Sequence, residues 1–314
     1  MQKPALEPLR AQDIEGAGSA LRVHDYGNES APAMVLVHGI QDFALSLGTI
    51  AEAFRSEYHV VSFDLRGHGD SEKPGLYTMS HHLADLHSVL GALDLERPIL
   101  LGHSLGGQIV SQYAGLFTEV PSCVINVEGL GPPMRDLEMS DDRRRRRARR
   151  SIESLTRKSG ARRTMRDKEV AVGLFRSNHP RLGEAAARRL VDLGTEPAAE
   201  GGWRWKWDPR VQTTWLSFST QVGEERWSWI ECPVLLVTAG MAAEFWSRRR
   251  GIPITEAAID REELARRIGL FRYATHVEIA SAGHMVHYDA PEMLVDEIRV
   301  FLDREAGGRP VRGA

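Results

Sequence analysis

Short apolar runs alternate with amphipathic stretches along most of this 314-residue chain. The apolar runs predict buried strands over Leu21–Tyr26, Met34–Val37, His59–Phe63, Pro98–Leu101, Ser122–Val127, Pro233–Thr238 and His276–Ile279. Apolar residues at helical spacing predict helices over Leu45–Arg55, Met79–Leu93, Gln108–Phe117 and Pro291–Leu302. Strands that alternate with helices in this way predict an α/β fold, a mostly parallel sheet flanked by helices, with Leu21–Tyr26 as an antiparallel edge.

Residues 134–231 interrupt this alternation, because they are arginine-rich and mostly helical in spacing. We therefore predict an α/β core formed by residues 1–133 and 232–314, with a helical lid inserted at 134–231. All seven tryptophans lie between Trp203 and Trp246. They either pack in the interior of the lid or line an apolar substrate pocket. Trp203, Trp205 and Trp207 alternate, so an extended segment would place all three on one face, and they are the predicted substrate-binding residues.

The composition is that of an ordinary globular protein, with 42% apolar residues, 26% charged residues and a net charge of −3. No apolar stretch is long enough to span a membrane, and no apolar run follows a basic start, so we expect a cytoplasmic protein. The two cysteines, Cys123 and Cys232, are expected to be buried thiols. They indicate neither a disulfide framework nor a metal site, and no cofactor is predicted.

An arginine-rich run from Arg143 to Arg150 follows Asp141 and Asp142. Such a run can bind nucleic acid. It is also typical of a solvated helix that begins near Ser140, with the two aspartates in its first turn. The chain as a whole is acidic, so we favour the helix and predict no nucleic-acid partner.

The segment Gly102-His103-Ser104-Leu105-Gly106 lies between a predicted strand and a predicted helix. A serine on such a sharp turn has a strained backbone, and the flanking glycines give the turn room. The turn also directs the backbone N–H of Leu105 towards a reacting oxyanion. Ser104 is therefore the predicted nucleophile, and Leu105 a predicted donor of the oxyanion hole.

Two further segments complete the expected chemistry. His38-Gly39-Ile40 follows the strand Met34–Val37, and the N–H of Ile40 can supply a second oxyanion donor. His284 follows the last predicted strand. A serine hydroxyl needs a base within hydrogen-bond reach, and a histidine late in the chain is the predicted base.

These motifs resemble those of serine hydrolases with the α/β-hydrolase fold. The resemblance covers Leu21–Pro133 and Cys232–Leu302, and it includes the loop Phe63–Ser71, in which Asp64 and Arg66 have an expected structural role. More loosely, the lid segment Trp203-Arg204-Trp205 resembles the serine hydrolase-like branch. Epoxide hydrolases and haloalkane dehalogenases of this superfamily have aspartate as the nucleophile, whereas this chain has serine.

The chain departs from the common family pattern at the catalytic acid. Most relatives have an aspartate after the strand that corresponds to Pro233–Thr238, but here Glu244 is the first acidic residue after that strand. Some lactone hydrolases of the superfamily place the acid one strand earlier, which corresponds to Glu128. A carboxylate at the carboxyl end of a strand lies on the rim where open α/β sites form. We predict Glu128 as the acid, with Glu244 as the alternative.

The resemblance implies a cofactor-free serine hydrolase that cleaves an ester, lactone or amide-like carbonyl of a hydrophobic small molecule. The same fold and residues could also serve carbon–carbon bond hydrolysis or acyl transfer, or a ligand receptor without turnover. The sequence predicts no membrane partner and leaves a homodimer open.

Overall fold

The computed structural model describes residues 7–131, 140–156, 164–216 and 218–307. Its strands are β1 Arg10–Glu15, β2 Ala20–Asp25, β3 Ala33–Val37, β4 His59–Phe63, β5 Ile99–His103, β6 Cys123–Val127, β7 Thr195–Pro197, β8 Trp203–Trp205, β9 Val234–Ala239 and β10 Ala274–Ile279. Eight of these strands form one sheet in the order β1-β2-β4-β3-β5-β6-β9-β10, and β7 pairs with β8. The strands from β4 to β10 in this order are parallel, which confirms the predicted α/β class.

The antiparallel edge of the sheet differs from the prediction. The predicted edge strand, Leu21–Tyr26, corresponds to β2, but β1 lies outside it and pairs with it in antiparallel orientation. Only Ile14 of the six residues in β1 is buried. The strand therefore lacks the apolar alternation by which sequence analysis detects strands.

The helices are α1 Gly48–Phe54, α2 Met79–Ala92, α3 Leu105–Leu116, α4 Asp141–Thr156, α5 Lys168–Asn178, α6 Glu184–Gly194, α7 Thr220–Ser228, α8 Ala242–Arg250, α9 Ile254–Ala257, α10 Arg261–Ile268, α11 Val286–Asp289 and α12 Pro291–Gly307. The predicted helix Leu45–Arg55 is divided into a 3₁₀ turn, Ala44–Leu47, and α1. In the described part of the chain, none of the helices has the length and apolar character that a membrane-spanning segment needs.

Apolar side chains of the central strands pack against helices on both faces of the sheet. Met34 and Leu36 of β3 face a cluster formed with α1 and α12, whereas Val35 and Val37 face a cluster formed with α2 and α3. This division follows from the strand geometry, since successive side chains point to opposite faces. A strand that is buried on both faces has a continuous apolar sequence, and this is why β3 was readily predicted.

The segment between β6 and β9 packs largely on the loops at the carboxyl ends of the strands. Ala171 of α5 and Val191 of α6 form a third apolar cluster with Phe43 and Tyr288. The end of the segment packs elsewhere: Trp227 of α7 is fully buried in the apolar cluster that α2 and α3 form with the sheet. The lid boundaries at 134 and 231 stay a prediction, and the first of them lies outside the described residues.

The arginine-rich run forms α4, as the helix interpretation predicted. Asp141 and Asp142 lie in its first turn and pair with Arg144 and Arg146. All four of these side chains are exposed. The ion pairs lie along one exposed helix surface, where i,i+3 and i,i+4 neighbours meet.

A buried ion pair fixes the loop that follows β4. The Nε and Nη2 atoms of Arg66 each lie 2.6 Å from a carboxylate oxygen of Asp85 in α2. The carboxylate of Asp64 accepts hydrogen bonds from the backbone N–H groups of Ala44 and Asp70. Both residues stabilise the loop through buried hydrogen bonds, as the sequence led us to expect.

Candidate active site

Ser104 lies on the sharp turn between β5 and α3. Its backbone has φ 51° and ψ −110°, a conformation that L-residues rarely adopt. A Cβ atom on Gly102 would overlap the carbonyl oxygen of Gly106, and one on Gly106 would overlap the carbonyl oxygen of Val37. Only glycine therefore fits at these two positions, and the close backbone approach that they permit holds the strained turn in place.

The imidazole of His284 faces the hydroxyl of Ser104. Nε2 of His284 lies 3.0 Å from Oγ of Ser104, and only 2% of the His284 side chain is exposed. The backbone of His284 is also held in place, because Nε2 of His103 donates a hydrogen bond to the carbonyl oxygen of His284 at 2.8 Å. Burial lowers the pKa of His103 well below its usual value, which keeps the supporting ring neutral.

The carboxylate of Glu128 contacts the other nitrogen of His284. Oε2 of Glu128 lies 2.9 Å from Nδ1 of His284, and Oε1 accepts a hydrogen bond from the backbone N–H of Ala239 at 2.7 Å. Glu244, the alternative acid, instead lies 2.8 Å from a guanidinium nitrogen of Arg181. The structure thus brings Ser104, His284 and Glu128 together and places Glu244 in a different ion pair.

The loop after β3 lies beside Ser104. A Cβ atom on Gly39 would be 3.3 Å from Cβ of Ser104, so the backbone of this loop passes close to the serine. Within the described residues, neither the N–H of Ile40 nor that of Leu105 donates a hydrogen bond. Both predicted oxyanion donors therefore remain available for a ligand.

Two buried histidines fix the loop that contains Ile40. Nε2 of His38 accepts from the N–H of Leu65, and Nε2 of His68 accepts from the N–H of Gln41. Burial lowers the pKa of His68 to about 3 and also lowers the pKa of His38. Both rings are therefore neutral at physiological pH and can accept these hydrogen bonds.

Asp42 anchors the same loop to the segment that carries His284, a role that sequence analysis missed. Its carboxylate accepts from the hydroxyl of Tyr288 at 2.8 Å and lies 3.2 Å from Nε2 of His287. Burial opposes ionisation of Asp42, but the hydrogen bond and charge of His287 hold its pKa below the usual range. The close spacing of Asp42 after His38 and of His287 after His284 was the available sequence signal.

Asp42 and His287 also belong to a group of side chains that are common metal ligands. With His103 they form a buried cluster whose ligand atoms lie within 4.8 Å of one another. The carboxylate of Asp42 is already used by two hydrogen-bond donors, and Nε2 of His103 holds the carbonyl of His284. These hydrogen bonds explain the cluster as a set of side chains that hold the loops together. The absence of a metal stays a prediction.

A cavity of about 1090 Å³ opens above Ser104 and His284. Trp205 and Trp207 line it, together with Trp215, Phe245 and Trp246. Phe245 stacks on the imidazole of His284 with ring centroids 4.4 Å apart, a contact that sequence analysis did not predict.

The prediction that Trp203 also lines the pocket is wrong. Trp203 is absent from the cavity wall as far as the described residues define it. The ammonium group of Lys168 lies 4.3 Å from the centroid of its ring, so the ring is covered by a cation–π contact instead. Strand β8 ends at Trp205, and the alternation of a single extended segment does not continue to Trp207.

Residues 34–297 match the alpha/beta hydrolase family. The chain belongs to the alpha/beta hydrolase family. Among the curated relatives of this chain, an uncharacterised protein of Mycobacterium tuberculosis is 32% identical over 124 residues, which are 39% of this chain and 35% of the relative. Epoxide hydrolase 4 of Mus musculus is 36% identical over 107 residues, which are 32% of this chain and 30% of the relative. The matches thus span about a third of the length of these curated relatives.

Solved structures resemble this alpha/beta hydrolase over nearly its whole length. The thioesterase domain from the curacin biosynthetic pathway has a TM-score of 0.77 and 22% sequence identity, with 92% of this chain and 99% of the domain covered. At this identity the likeness shows a shared fold. The resemblance to the serine hydrolase-like branch stays a prediction.

Proposed function

We propose that this alpha/beta hydrolase is a serine hydrolase that cleaves an ester or lactone carbonyl of an apolar small molecule. The observation that carries the proposal is the continuous hydrogen-bonded series from Oγ of Ser104 through His284 to Glu128. A nucleophile, a base and a group that orients the base are the three parts that acyl transfer through a serine needs.

In the proposed reaction, Oγ of Ser104 attacks the carbonyl carbon while Nε2 of His284 takes the hydroxyl proton. Glu128 accepts the hydrogen bond from Nδ1–H, which fixes the tautomer and stabilises the imidazolium that forms. The tetrahedral intermediate then collapses, the bond to the leaving oxygen breaks, and His284 returns the proton to that oxygen.

Water completes the cycle by hydrolysing the acyl-serine ester. His284 takes a proton from the attacking water and later returns a proton to Oγ of Ser104, so the enzyme is regenerated without a cofactor. In both steps the negative charge develops next to the N–H groups of Ile40 and Leu105. A single donor of this kind is typically worth about 10²–10³ in turnover.

The preference for an apolar substrate is inferred from the aromatic side chains of the cavity wall. Trp205, Trp207, Phe245 and Trp246 offer large apolar surfaces beside the reacting groups. The cavity volume of about 1090 Å³ lies slightly above the range for small-molecule sites, about 300–1000 Å³. An epoxide hydrolase reaction is not favoured, because epoxide hydrolases of this superfamily have an aspartate nucleophile at the position that Ser104 occupies in this chain.

The test compares Ser104→Ala with the wild type in two assays. A fluorophosphonate probe should label the wild type and not the variant, and p-nitrophenyl butyrate should be turned over repeatedly by the wild type alone. Ser30→Ala, which changes an exposed serine outside the cavity, is the matched control and should behave as the wild type. Probe labelling of Ser104→Ala, or a wild type that releases a single equivalent of p-nitrophenol, would contradict the proposal.

A further inference from the structure

Arg249 is a cation in the wall of the catalytic cavity. It belongs to the last turn of α8, and both Nη1 and Nη2 lie 3.1 Å from Oε1 of Gln41, which also lines the cavity. That amide oxygen carries no net charge. Among the residues that the structure describes, no carboxylate lies within ion-pair distance of Arg249, so its positive charge is not neutralised there.

The nearest acidic residue on the same helix is already paired. Glu244 lies 2.8 Å from Arg181 and 3.7 Å from Arg248, the residue next to Arg249. Cations are favoured at the carboxyl end of a helix, and this accounts for arginines in the last turn of α8. It does not account for the cavity position of Arg249 or for its neutral partner.

The guanidinium of Arg249 is linked to the catalytic imidazole by a single aromatic ring. Phe245 stacks on His284 with an angle of 25° between the rings, and the guanidinium carbon of Arg249 lies 5.8 Å from the centroid of the same phenyl ring. Phe245 and Arg249 are four residues apart on α8, so they share one face of the helix. The cation therefore has a defined position relative to the site of attack.

We propose that Arg249 binds a carboxylate of the substrate, next to the Phe245 ring that stacks on His284. The substrate class is then an ester or lactone with an apolar body and an acidic group that is set apart from the reacting carbonyl, as Arg249 is from His284. Guanidinium groups bind carboxylates through two parallel N–H donors, which gives orientation as well as affinity. The proposal rests on the proposed function, because the reacting carbonyl is the one that Ser104 attacks.

The kinetic test uses two p-nitrophenyl esters with acyl chains of equal length. The hexanoate ends in a methyl group and the mono-adipate ends in a carboxylate. The measured quantity is the ratio of kcat/KM for the adipate to kcat/KM for the hexanoate. We expect Arg249→Gln to lower this ratio at least tenfold, since a hydrogen bond to a charged group contributes about 1.5–3 kcal/mol. Arg249→Lys, which keeps the charge and loses the paired donors, should retain part of the ratio.

Two controls separate this effect from a general loss of charge. Arg272→Gln removes an exposed arginine that packs on Tyr273 and should leave the ratio unchanged. Added salt should lower the ratio for the wild type and have little effect on it for Arg249→Gln, because exposed charge pairs are screened.

A binding measurement tests the carboxylate site without turnover. Monomethyl adipate is titrated into Ser104→Ala, with Trp246 of the cavity wall among the reporters of tryptophan fluorescence, and the double variant with Arg249→Gln should bind at least tenfold more weakly. Equal affinities, or an unchanged ratio of the two esters while the hexanoate is hydrolysed, would overturn the Arg249 proposal and leave the proposed function intact. Weaker binding without any ester hydrolysis would support the carboxylate site and count against the proposed function.

Discussion

Glu128→Gln tests the assignment of the acid with the smallest possible change of shape. The carboxylate of Glu128 faces two donors, the N–H of Ala239 at one oxygen and Nδ1 of His284 at the other. Glutamine has a single side-chain oxygen. If that oxygen accepts from Ala239, the NH₂ group points at Nδ1 and favours the tautomer with the proton on Nε2, which cannot take a proton from Ser104. If the amide is flipped by 180°, its NH₂ group faces the N–H of Ala239, and these two hydrogen-bond donors repel each other.

The expected loss follows from this forced choice. Replacing the acid of a serine protease by its amide lowers turnover about 10⁴-fold through the wrong tautomer. This corresponds to about 5.4 kcal/mol in the activation free energy. The N–H of Ala239 disfavours the flipped orientation of the amide, so the glutamine holds His284 in the wrong tautomer. We therefore expect kcat for p-nitrophenyl butyrate to fall by about 10⁴-fold. The melting temperature should change little, since the glutamine fills the same space.

Glu244→Gln is the matched control, because it makes the same chemical change in an ion pair with Arg181. We expect its kcat to stay within about tenfold of the wild-type value, or less than about 1.4 kcal/mol. Turnover of Glu128→Gln within tenfold of the wild type would refute the reasoning, and so would a larger loss for Glu244→Gln than for Glu128→Gln. Circular dichroism and thermal melting on both variants exclude unfolding as the cause.

Three further predictions concern the pocket, the core and the turn. Trp205→Ala should raise KM for p-nitrophenyl butyrate severalfold because it removes cavity wall, whereas Trp203→Ala should leave KM within about twofold; the opposite order would contradict the assignment of the wall. Asp85→Ala leaves the guanidinium of Arg66 buried without a counter-ion, so chemical denaturation should show a loss of about 3–5 kcal/mol in the free energy of unfolding. Gly102→Ala should abolish activity and lower the melting temperature, because the added Cβ overlaps the backbone of α3; a fully active variant would show that the turn tolerates a side chain.

Much of the central sheet could be predicted from the sequence because its strands are buried on both faces. Runs such as Val234–Val237 are continuously apolar, and this signal does not depend on any knowledge of their neighbours. β1 could not be predicted, since its side chains are almost all exposed and it is held by backbone pairing with β2. Its partner follows closely in the chain, with Glu15 opposite Ala20, but backbone pairing between exposed residues leaves no apolar pattern in the sequence.

The same contrast separates the parts of the candidate site. Ser104 follows the buried strand β5, and His284 follows the edge strand β10, both in short glycine-containing turns, so local sequence indicated both of them. The contact of Phe245 with His284 depends on where α8 lies relative to β10, a tertiary relation that no local pattern encodes. For Trp203 the local pattern was misleading. The alternation of tryptophans over five residues indicated one extended segment, but the strand ends at Trp205.

With Glu128 at the end of β6 as the proposed acid, the segment after β9 does not need to carry an acid. That segment instead supplies cavity wall through Phe245, Trp246 and Arg249. On the proposed assignment, the acid and this part of the cavity wall follow different strands of the sheet, β6 and β9. Arg249 can therefore be varied to change the cavity wall without altering a side chain that contacts the ring of His284, whereas Phe245 and Trp246 pack against that ring and link the wall to the proposed base.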